Sequence, residues 1–298
     1  MLTEPAPADL DLLLLIRHVE RTVLRLFAEG LVSGTTHTCL GQEYVPVALQ
    51  PLLRPDDWVF SNHRGHGHYL ARFDDPHGLL AEITGRRGAV CHGVGGSQHL
   101  LRDRYLSTGV QGQSLPVAAG VALRLRDAEP GRLAVAYVGD GSWGEGAVYE
   151  ALNIAALWQL PLLVVVEHNG IAQSTPTHRH LAGSIAARAA AFGIRHVPVD
   201  SVDLAAIRRQ LRSDLDAVRE RPAPLVVEFH TTRLGPHSKG DDTRDADHLA
   251  RLHENDWLRQ YAAAFPDLVR QADERQRDRV AAASEDVLRR PPVTGEDS

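Results

Sequence analysis

Residues 133–142 have the sequence LAVAYVGDGS, and residues 162–169, LLVVVEHN, show the same pattern of an apolar run followed by polar residues. Together they indicate the fold class of this chain. Each stretch opens on a continuous apolar run, which is typical of a parallel strand buried on both faces. Residues 145–158 predict a helix between the strands at 133–138 and 162–166. Strands that alternate with helices predict an α/β fold with a doubly wound, mostly parallel sheet and helices on both faces.

The rest of the chain extends this pattern outwards. Apolar runs predict further strands at residues 58–61, 195–199 and 225–229. The helical spacing of apolar residues predicts helices at 10–29, 44–53 and 115–124. A glycine-rich segment at 93–97 lies between helical stretches, and the polar tail from Pro291 is expected to be frayed.

Composition and charge restrict the possible functions. The chain has 298 residues, of which 43% are hydrophobic and 23% charged, as is ordinary for a soluble globular protein. A formal net charge of −6 argues against a general nucleic-acid binder. The two cysteines, Cys39 and Cys91, imply no disulfide framework and fit a reducing cytoplasm. The apolar stretch at 10–16 is too short and too close to acidic residues for an export signal or a membrane span.

Polar side chains follow the carboxyl ends of the two central predicted strands, which is the edge where open α/β sheets bind ligands. Asp140 follows the first strand and Asn169 the second, with one helix between them. Their carboxylate and amide oxygens suit Mg²⁺, which completes its shell with phosphate oxygens and water. Gly139 and Gly141 would let the backbone approach that phosphate, and the next helix would offer it N–H groups. A helix cap at Asp140 and a turn at Asn169 are the alternative, but their pairing on successive strands favours the metal site.

The order Gly-Asp-Gly, helix, strand, Asn resembles the pattern of thiamine-diphosphate binding. Residues 139–175 resemble the α subunit of the E1 component of 2-oxo acid dehydrogenases, the family of the pyruvate, branched-chain and acetoin enzymes. Further segments resemble motifs of that family in the same order: THTCLGQE at 36–43, HRGHG at 63–67, GGSQH at 95–99, and RLGPHS at 233–238 with Asp241, Asp242 and Arg244. The domains then expected are an N-terminal helix at 1–30, a thiamine-diphosphate-binding domain of the PP type at 31–265 with its active-site loop at 231–247, and a C-terminal helix and tail at 266–298.

The resemblance also implies a role for each matching residue. The metal ligands would be Asp140, the side chain of Asn169 and the backbone carbonyl of Ile171. The diphosphate would meet His63, Arg64, Gly141 and Ser142, and the aminopyrimidine ring would meet the backbones of Gly109 and Gln111. The catalytic histidines would be His37 and His66, which face the substrate, and His237, which reaches the reacting end of the cofactor. Other histidines, among them His178 and His196, are expected at the surface or in packing.

The resemblance implies partners as well. The family activates thiamine diphosphate with a glutamate on a separate β subunit, and Glu43 of this chain belongs to an α-subunit motif instead. We therefore expect an α2β2 heterotetramer that decarboxylates a 2-oxo acid oxidatively and passes the acyl group to a lipoyl acyltransferase or an acyl carrier protein. No nucleic-acid or membrane partner is expected, and the expected location is the cytoplasm.

Several positions leave the substrate open. Gln98, Gln111 and His168 differ from the residues usual in the family, and Asn-Gly-Ile at 169–171 also resembles transketolases. Polar groups of this kind suit a hydroxylated substrate. The alternative is a split, transketolase-like enzyme that moves a two-carbon ketol unit from a ketose phosphate to an acceptor such as a carrier protein. A non-catalytic scaffold is a third hypothesis, against which the retained metal and histidine motifs argue.

Overall fold

The computed structural model describes residues 2–32, 34–238 and 242–294. The chain forms two compact units. The helical unit comprises Met1–Gln50, His63–Arg102 and Arg233–Ser298, and the sheet unit comprises Pro51–Asn62 and Asp103–Thr232. The domain bounds expected from the sequence, 1–30, 31–265 and 266–298, stay a prediction.

The sheet unit is built on parallel strands. The strands are β1 (Trp58–Ser61), β2 (Leu101–Arg102), β3 (Tyr105–Ser107), β4 (Ala134–Gly139), β5 (Leu162–His168), β6 (Ile171–Ala172), β7 (Thr175–Pro176), β8 (Arg195–Val199) and β9 (Leu225–His230), of which β2 belongs to the helical unit. The sheet of the sheet unit has the order β3-β1-β4-β5-β9-β8, and each neighbouring pair is parallel. The short strands β6 and β7 form an antiparallel pair of their own.

Helices alternate with these strands along the chain. They are α1 (Pro7–Ala28), α2 (Tyr44–Leu49), α3 (His66–Phe73), α4 (Pro76–Thr84), α5 (Ser114–Ala128), α6 (Gly146–Leu157), α7 (Ile185–Ala191), α8 (Leu204–Glu220), α9 (Ala246–Glu254), α10 (Trp257–Ala264) and α11 (Pro266–Arg289). The sheet unit contains α5 to α8. Within the described ranges, none of the helices combines the length and the apolar character needed to cross a membrane.

The core of the sheet unit explains why the central strands are so apolar. Every residue of β5 before His168 is buried, and Val164 and Val166 share one core cluster with residues of α5 and α6. The helix residues in that cluster include Ala118, Ala122 and many other alanines. Because alanine ends at Cβ, these small residues allow the helices to pack closely against the sheet. The predicted α/β class with a parallel sheet is confirmed.

A short turn separates β4 from the helix that follows it. The strands predicted at 58–61 and 195–199 coincide with β1 and β8. After β4, however, the chain forms a 3-10 turn at Asp140–Gly144, and α6 begins only at Gly146. The indole of Trp143 is fully buried in this turn, which holds the chain in the turn before the helix can start. The first N–H groups after Asp140 therefore belong to a 3-10 turn, and the helix predicted at 145–158 coincides with α6 to within one residue at each end.

The helical unit is held together by a buried ion cluster. Arg17 of α1 donates to Glu43 and makes two hydrogen bonds of 2.8 Å to the carboxylate of Asp256. Glu43 is fully buried and also accepts hydrogen bonds from Trp257 Nε1 (2.7 Å) and the backbone of Gly41 (2.7 Å). Removing one partner of a buried ion pair leaves an uncompensated charge, which is strongly destabilising. Glu43 therefore has a structural task that ties α1 to the start of α10.

The glycine-rich segment at 93–97 wraps around a single carboxylate. Glu82 of α4 is 1% exposed. Its two oxygens accept backbone hydrogen bonds of 2.6 to 3.2 Å from Cys91, Gly93, Gly95 and Gly96. The segment lies between α4 and β2, so its predicted place between two helical stretches is wrong. The reason is that the N–H groups turn inwards to one charge, which a helix or a strand would not allow.

The tail is more ordered than the sequence predicted. The carbonyl of Pro291 accepts a 2.9 Å hydrogen bond from Arg87 N, and the amide of Val293 donates to Gly85 O at 2.9 Å. Pro292 forms an isolated antiparallel bridge with Arg86. The frayed tail expected from Pro291 is therefore wrong for residues 291–294, and its last residues, 295–298, lie outside the described ones.

Candidate functional site

The carboxyl ends of β4 and β5 bring the polar residues of the sheet unit together. These strands pair with Gly139 opposite Glu167, so Asp140 lies level with His168. The Asp140 carboxylate is 1% exposed. Thr177 donates its hydroxyl hydrogen to Oδ2 of this carboxylate, and Nε2 of His168 lies 3.7 Å from the same oxygen.

The chemistry of this edge fits a divalent cation. Among the described residues, the Asp140 carboxylate faces the Thr177 hydroxyl and the His168 imidazole, and no guanidinium or ammonium lies within 4.0 Å of it. Among the described residues, the only group near this buried carboxylate that can carry a positive charge is the His168 ring, at 3.7 Å. A divalent ion would neutralise the carboxylate and accept further oxygen ligands. Asn169 and Ile171 follow on the neighbouring strand, where Asn169 Oδ1 accepts a 3.2 Å hydrogen bond from Ile171 N.

The residues predicted for the aminopyrimidine ring and the diphosphate also meet in the sheet unit. Ser142 donates its hydroxyl hydrogen to Gln111 Oε1 at 3.3 Å, and Gln111 Nε2 donates to the carbonyl of Gly109 at 3.1 Å. A Cβ atom added to Gly141 would lie 2.7 Å from Cβ of Ala172. Packing against β6 is thus a sufficient reason for glycine at position 141, independently of any phosphate.

A carboxylate that the sequence analysis missed organises the histidines of this edge. Glu228 of β9 lies 2.6 Å from His168 Nδ1 through one oxygen and 2.6 Å from His196 Nε2 through the other. The hydrogen bond that His168 donates to Glu228 raises the pKa of His168, although burial opposes the shift, and the nearby charge of Asp140 adds to the rise. Burial alone would raise the pKa of Glu228, but its bonds to His168 and His196 lower it. His196, expected at the surface or in packing, is therefore part of this hydrogen-bonded network.

One sequence signal could have revealed Glu228. It is a lone charge inside the apolar strand LVVEFH at 225–230, and charged residues are buried only when they are paired. Its partner could not be inferred from the sequence, because β5 and β9 are neighbours in the sheet but are separated along the chain by β8 and α8, among other elements.

In the helical unit, three predicted site histidines form one cluster. The rings of His37 and His63 lie 4.7 Å apart, those of His37 and His237 also 4.7 Å, and those of His63 and His237 5.5 Å. Arg64 donates to the carbonyl of Thr38 at 2.7 Å and to the carbonyl of His237 at 3.2 Å. Burial, together with the charge of Arg64, holds the pKa of His63 well below its ordinary value. His63 is therefore a neutral imidazole at physiological pH.

His66 is placed differently from the other three histidines. It is fully buried, with Nδ1 3.0 Å from Glu20 and Nε2 3.0 Å from the hydroxyl of Ser97. Glu20 also accepts a 2.8 Å hydrogen bond from the backbone of Cys39, and Ser97 donates to the hydroxyl of Thr36 at 3.2 Å. His66 thus holds both sides of the loop that carries His37. Its expected contact with substrate stays a prediction.

The charges of Glu20 and His66 predict a pH-dependent stability. Burial disfavours both charged forms, but mutual attraction raises the pKa of His66 and lowers that of Glu20. The His66 contribution is present below its ordinary pKa of 6.5 and is lost as pH rises through the raised value. The Glu20 contribution is present above its ordinary 4.5 and is lost as pH falls through the lowered value.

Replacing Glu20 with glutamine should therefore lower the free energy of unfolding by about 3–5 kcal/mol near pH 6, as expected for breaking a buried pair. Urea denaturation should show a smaller difference from the wild type once the pH has risen through the raised pKa of His66, because the ring is then neutral in both proteins. Glu274→Gln is the matched control, since Glu274 makes only an exposed pair with Arg270 at 3.4 Å and should change stability by less than about 1 kcal/mol. A deficit that does not depend on pH would contradict a charged pair.

In the expected active-site loop at 231–247, hydrogen bonds hold described residues both before position 239 and after position 241. The amide of Leu234 donates to the carbonyl of Leu40 at 3.0 Å. Arg244 donates at 2.6 Å to the carbonyls of Arg233 and Gly235 and binds the carboxylate of Asp242. These bonds fix the helical-unit part of the loop around His237, whereas Asp241 lies outside the described residues.

The sheet unit has the architecture in which α/β proteins bind ligands at the carboxyl ends of parallel strands, and Asp140 and Asn169 follow adjacent strands of it. The chain belongs to the dehydrogenase E1 component family, whose profile matches residues 12–278. The resemblance deduced from the sequence motifs is thereby confirmed.

Relatives with assigned names support this membership. The alpha subunit of the pyruvate dehydrogenase E1 component of Zymomonas mobilis is 38% identical over 237 residues, which cover 78% of this chain and 67% of the relative. The corresponding subunit of Rhizobium meliloti is 34% identical over 287 residues, 92% of this chain and 82% of the relative. The alpha subunit of acetoin:2,6-dichlorophenolindophenol oxidoreductase of Bacillus subtilis is 34% identical over 249 residues, 81% and 74% of the two chains.

Proposed function

We propose that this chain is the alpha subunit of a thiamine-diphosphate-dependent enzyme that decarboxylates a 2-oxo acid oxidatively and passes the acyl group to a lipoyl or carrier-protein partner. The observation that carries the proposal is the buried Asp140 carboxylate beside Asn169 at the ends of adjacent strands, without an arginine or lysine partner among the described residues. Membership in the dehydrogenase E1 component family, whose named relatives are pyruvate and acetoin enzymes, supports the reaction class.

The sheet unit would hold the metal end of the cofactor. Asp140, the side chain of Asn169 and the carbonyl of Ile171 are the proposed Mg²⁺ ligands, with Gly141 and Ser142 beside the diphosphate. Gly109 and Gln111, which share a hydrogen bond, would meet the aminopyrimidine ring. When bound, thiamine diphosphate supplies a nucleophilic carbon and an electron sink for the broken carbon–carbon bond.

The helical unit would contribute positive charge and proton transfer. Arg64 presents a planar guanidinium, which suits a diphosphate because it can donate parallel hydrogen bonds. His63, also proposed for the diphosphate, is a neutral donor, since its pKa is depressed by burial and by Arg64. His37 and His237 are the proposed groups that move protons at the substrate, and His66 supports them through the loop it holds with Glu20.

The proposed assembly is an α2β2 heterotetramer in which the β subunit supplies the activating glutamate. Glu43 is occupied by Arg17, Trp257 and the backbone of Gly41, so it is not available for that task. A lipoyl acyltransferase or an acyl carrier protein is the proposed acceptor. The cytoplasm remains the proposed location, on the ground that Cys39 and Cys91 form no disulfide.

A second candidate rests on polarity. His168, held by Glu228, and Gln111, bonded to Ser142, place polar groups where a hydroxylated substrate would find hydrogen-bond partners. These contacts favour the transketolase-like transfer of a ketol unit from a ketose phosphate as the alternative.

The two functions differ in the leaving group. The chain reconstituted with its β partner should be offered pyruvate, branched-chain 2-oxo acids and ketose phosphates in parallel, with an artificial electron acceptor as the reporter. We expect carbon dioxide release from a 2-oxo acid to be fastest. His37→Ala should lower turnover more than about tenfold, on the scale of losing one positioned acid–base group. Reaction with ketose phosphates alone would replace the primary proposal with the alternative.

A further inference from the structure

The two ring nitrogens of His168 face different carboxylates, those of Glu228 and Asp140. Its Nδ1 lies 2.6 Å from Oε1 of Glu228, and its Nε2 lies 3.7 Å from Oδ2 of Asp140. A carboxylate accepts hydrogen bonds, so the short contact with Glu228 places the hydrogen on Nδ1. In the neutral ring, the lone pair of Nε2 then lies on the side of Asp140.

A histidine whose far nitrogen donates to a carboxylate is the usual form of a metal-binding histidine, since the carboxylate fixes both tautomer and orientation. Here the carboxylate is itself fixed, because the second oxygen of Glu228 lies 2.6 Å from His196. His168 also belongs to a second set of side chains in this region that could hold a metal ion, together with Glu228 and His230. There, however, His230 is exposed and lies 2.7 Å from Asp200.

The distance between His168 and Asp140 fits one shared ion. Two ligands that each lie about 2.1 Å from one ion are at most about 4.2 Å apart, and about 3.0–3.4 Å apart in octahedral or tetrahedral geometry. The observed 3.7 Å therefore needs an adjustment of only a few tenths of an ångström, whereas it is too long for a hydrogen bond.

We propose that Nε2 of His168 is a ligand of the divalent ion bound by Asp140, and that this nitrogen shifts the preference of the site from Mg²⁺ towards Mn²⁺, Co²⁺ or Zn²⁺. Imidazole suits transition metals, whereas Mg²⁺ prefers an all-oxygen shell. The proposal depends on the proposed function only for the ion's place at Asp140, and not on the substrate. His168→Asn is the variant that removes the ring nitrogen and keeps a polar side chain.

The test uses the full chain loaded with Mn²⁺, with and without thiamine diphosphate, and electron spin echo spectroscopy to detect ¹⁴N coupled to the ion. We expect nitrogen coupling in the wild type and in His196→Gln, which keeps the Asp140 side of the network. His168→Asn and His168→Gln should both lose the coupling while circular dichroism shows an intact fold. Asp140→Ala should lose the bound Mn²⁺ itself.

Affinity gives a second readout by calorimetry. His168→Asn should weaken Mn²⁺ binding at least about tenfold and leave Mg²⁺ binding nearly unchanged, and Glu228→Gln, which removes the orienting carboxylate, should weaken Mn²⁺ about 10- to 100-fold. An equal loss of both metals would contradict the nitrogen ligand.

The other outcomes also decide the proposal. Nitrogen coupling that persists in His168→Asn, or that disappears in His230→Gln, would overturn it, the latter by moving the ion to the Glu228 and His230 group. If Mn²⁺ binds neither with nor without thiamine diphosphate, the proposal is overturned as well. If Mn²⁺ binds with ¹⁴N coupling but thiamine diphosphate does not bind, the proposed function fails and the assignment of His168 stands.

Discussion

Asp140→Ala should raise the dissociation constant of thiamine diphosphate in the presence of Mg²⁺ at least about 100-fold, a loss of roughly 2.7 kcal/mol. The carboxylate is buried and faces only the Thr177 hydroxyl and the His168 ring among the described residues. Its removal takes away the charge that would bind the ion, without opening a gap in the apolar core. Asn169→Ala should act in the same direction with a smaller effect, because an amide oxygen carries no net charge.

Calorimetry on the purified chain measures this effect directly. Asp127→Ala is the matched control, since Asp127 lies in the same unit and pairs only with Arg126 on the exposed surface. It should leave cofactor affinity unchanged. Affinity in Asp140→Ala equal to that of the wild type, with an unchanged circular dichroism spectrum, would show that Asp140 does not bind the ion.

The chain without its β partner should show no measurable carbon–carbon cleavage, and the addition of that partner should raise turnover at least about a thousandfold. A thousandfold rise lies within the range of about 10²–10⁴-fold that one positioned acid–base group contributes to a rate, and the activating glutamate of the β subunit would be such a group. Among the acidic residues near the predicted motifs, Glu43 and Glu20 are both buried in contacts with other parts of the helical unit. Neither carboxylate is therefore free to activate a cofactor.

Assembly and activity must be measured on the same preparation. Light scattering or ultracentrifugation should show the heterotetramer, and carbon dioxide release should follow its formation as β subunit is added. The control is cofactor binding by the chain alone, which should already occur because the proposed metal ligands are its own. Full turnover by the isolated chain would refute the need for a second subunit.

The parallel α/β sheet and the two polar strand ends could be predicted from the sequence alone. This succeeded because the signals are local: a strand buried on both faces must be apolar throughout, and β4 and β5 are each continuous apolar runs. Asp140 and Asn169 could be paired because β4 and β5 are successive in the chain and adjacent in the sheet. Motif order alone also identified the family, since the glycine, histidine and arginine residues of a motif lie within a few positions of one another.

Which charged groups contact one another could not be predicted from the sequence and became apparent only in the folded chain. The contact of His168 with Glu228 requires β9 to lie directly beside β5. Along the chain β8 comes between these two strands, whereas in the sheet β9 lies between β5 and β8. Likewise, the pairing of His66 with Glu20 requires α3 to pack on α1. The physical reason is that the electrostatic partner of a buried charge is chosen by proximity after folding, whereas periodicity in the sequence records only which side of an element is buried.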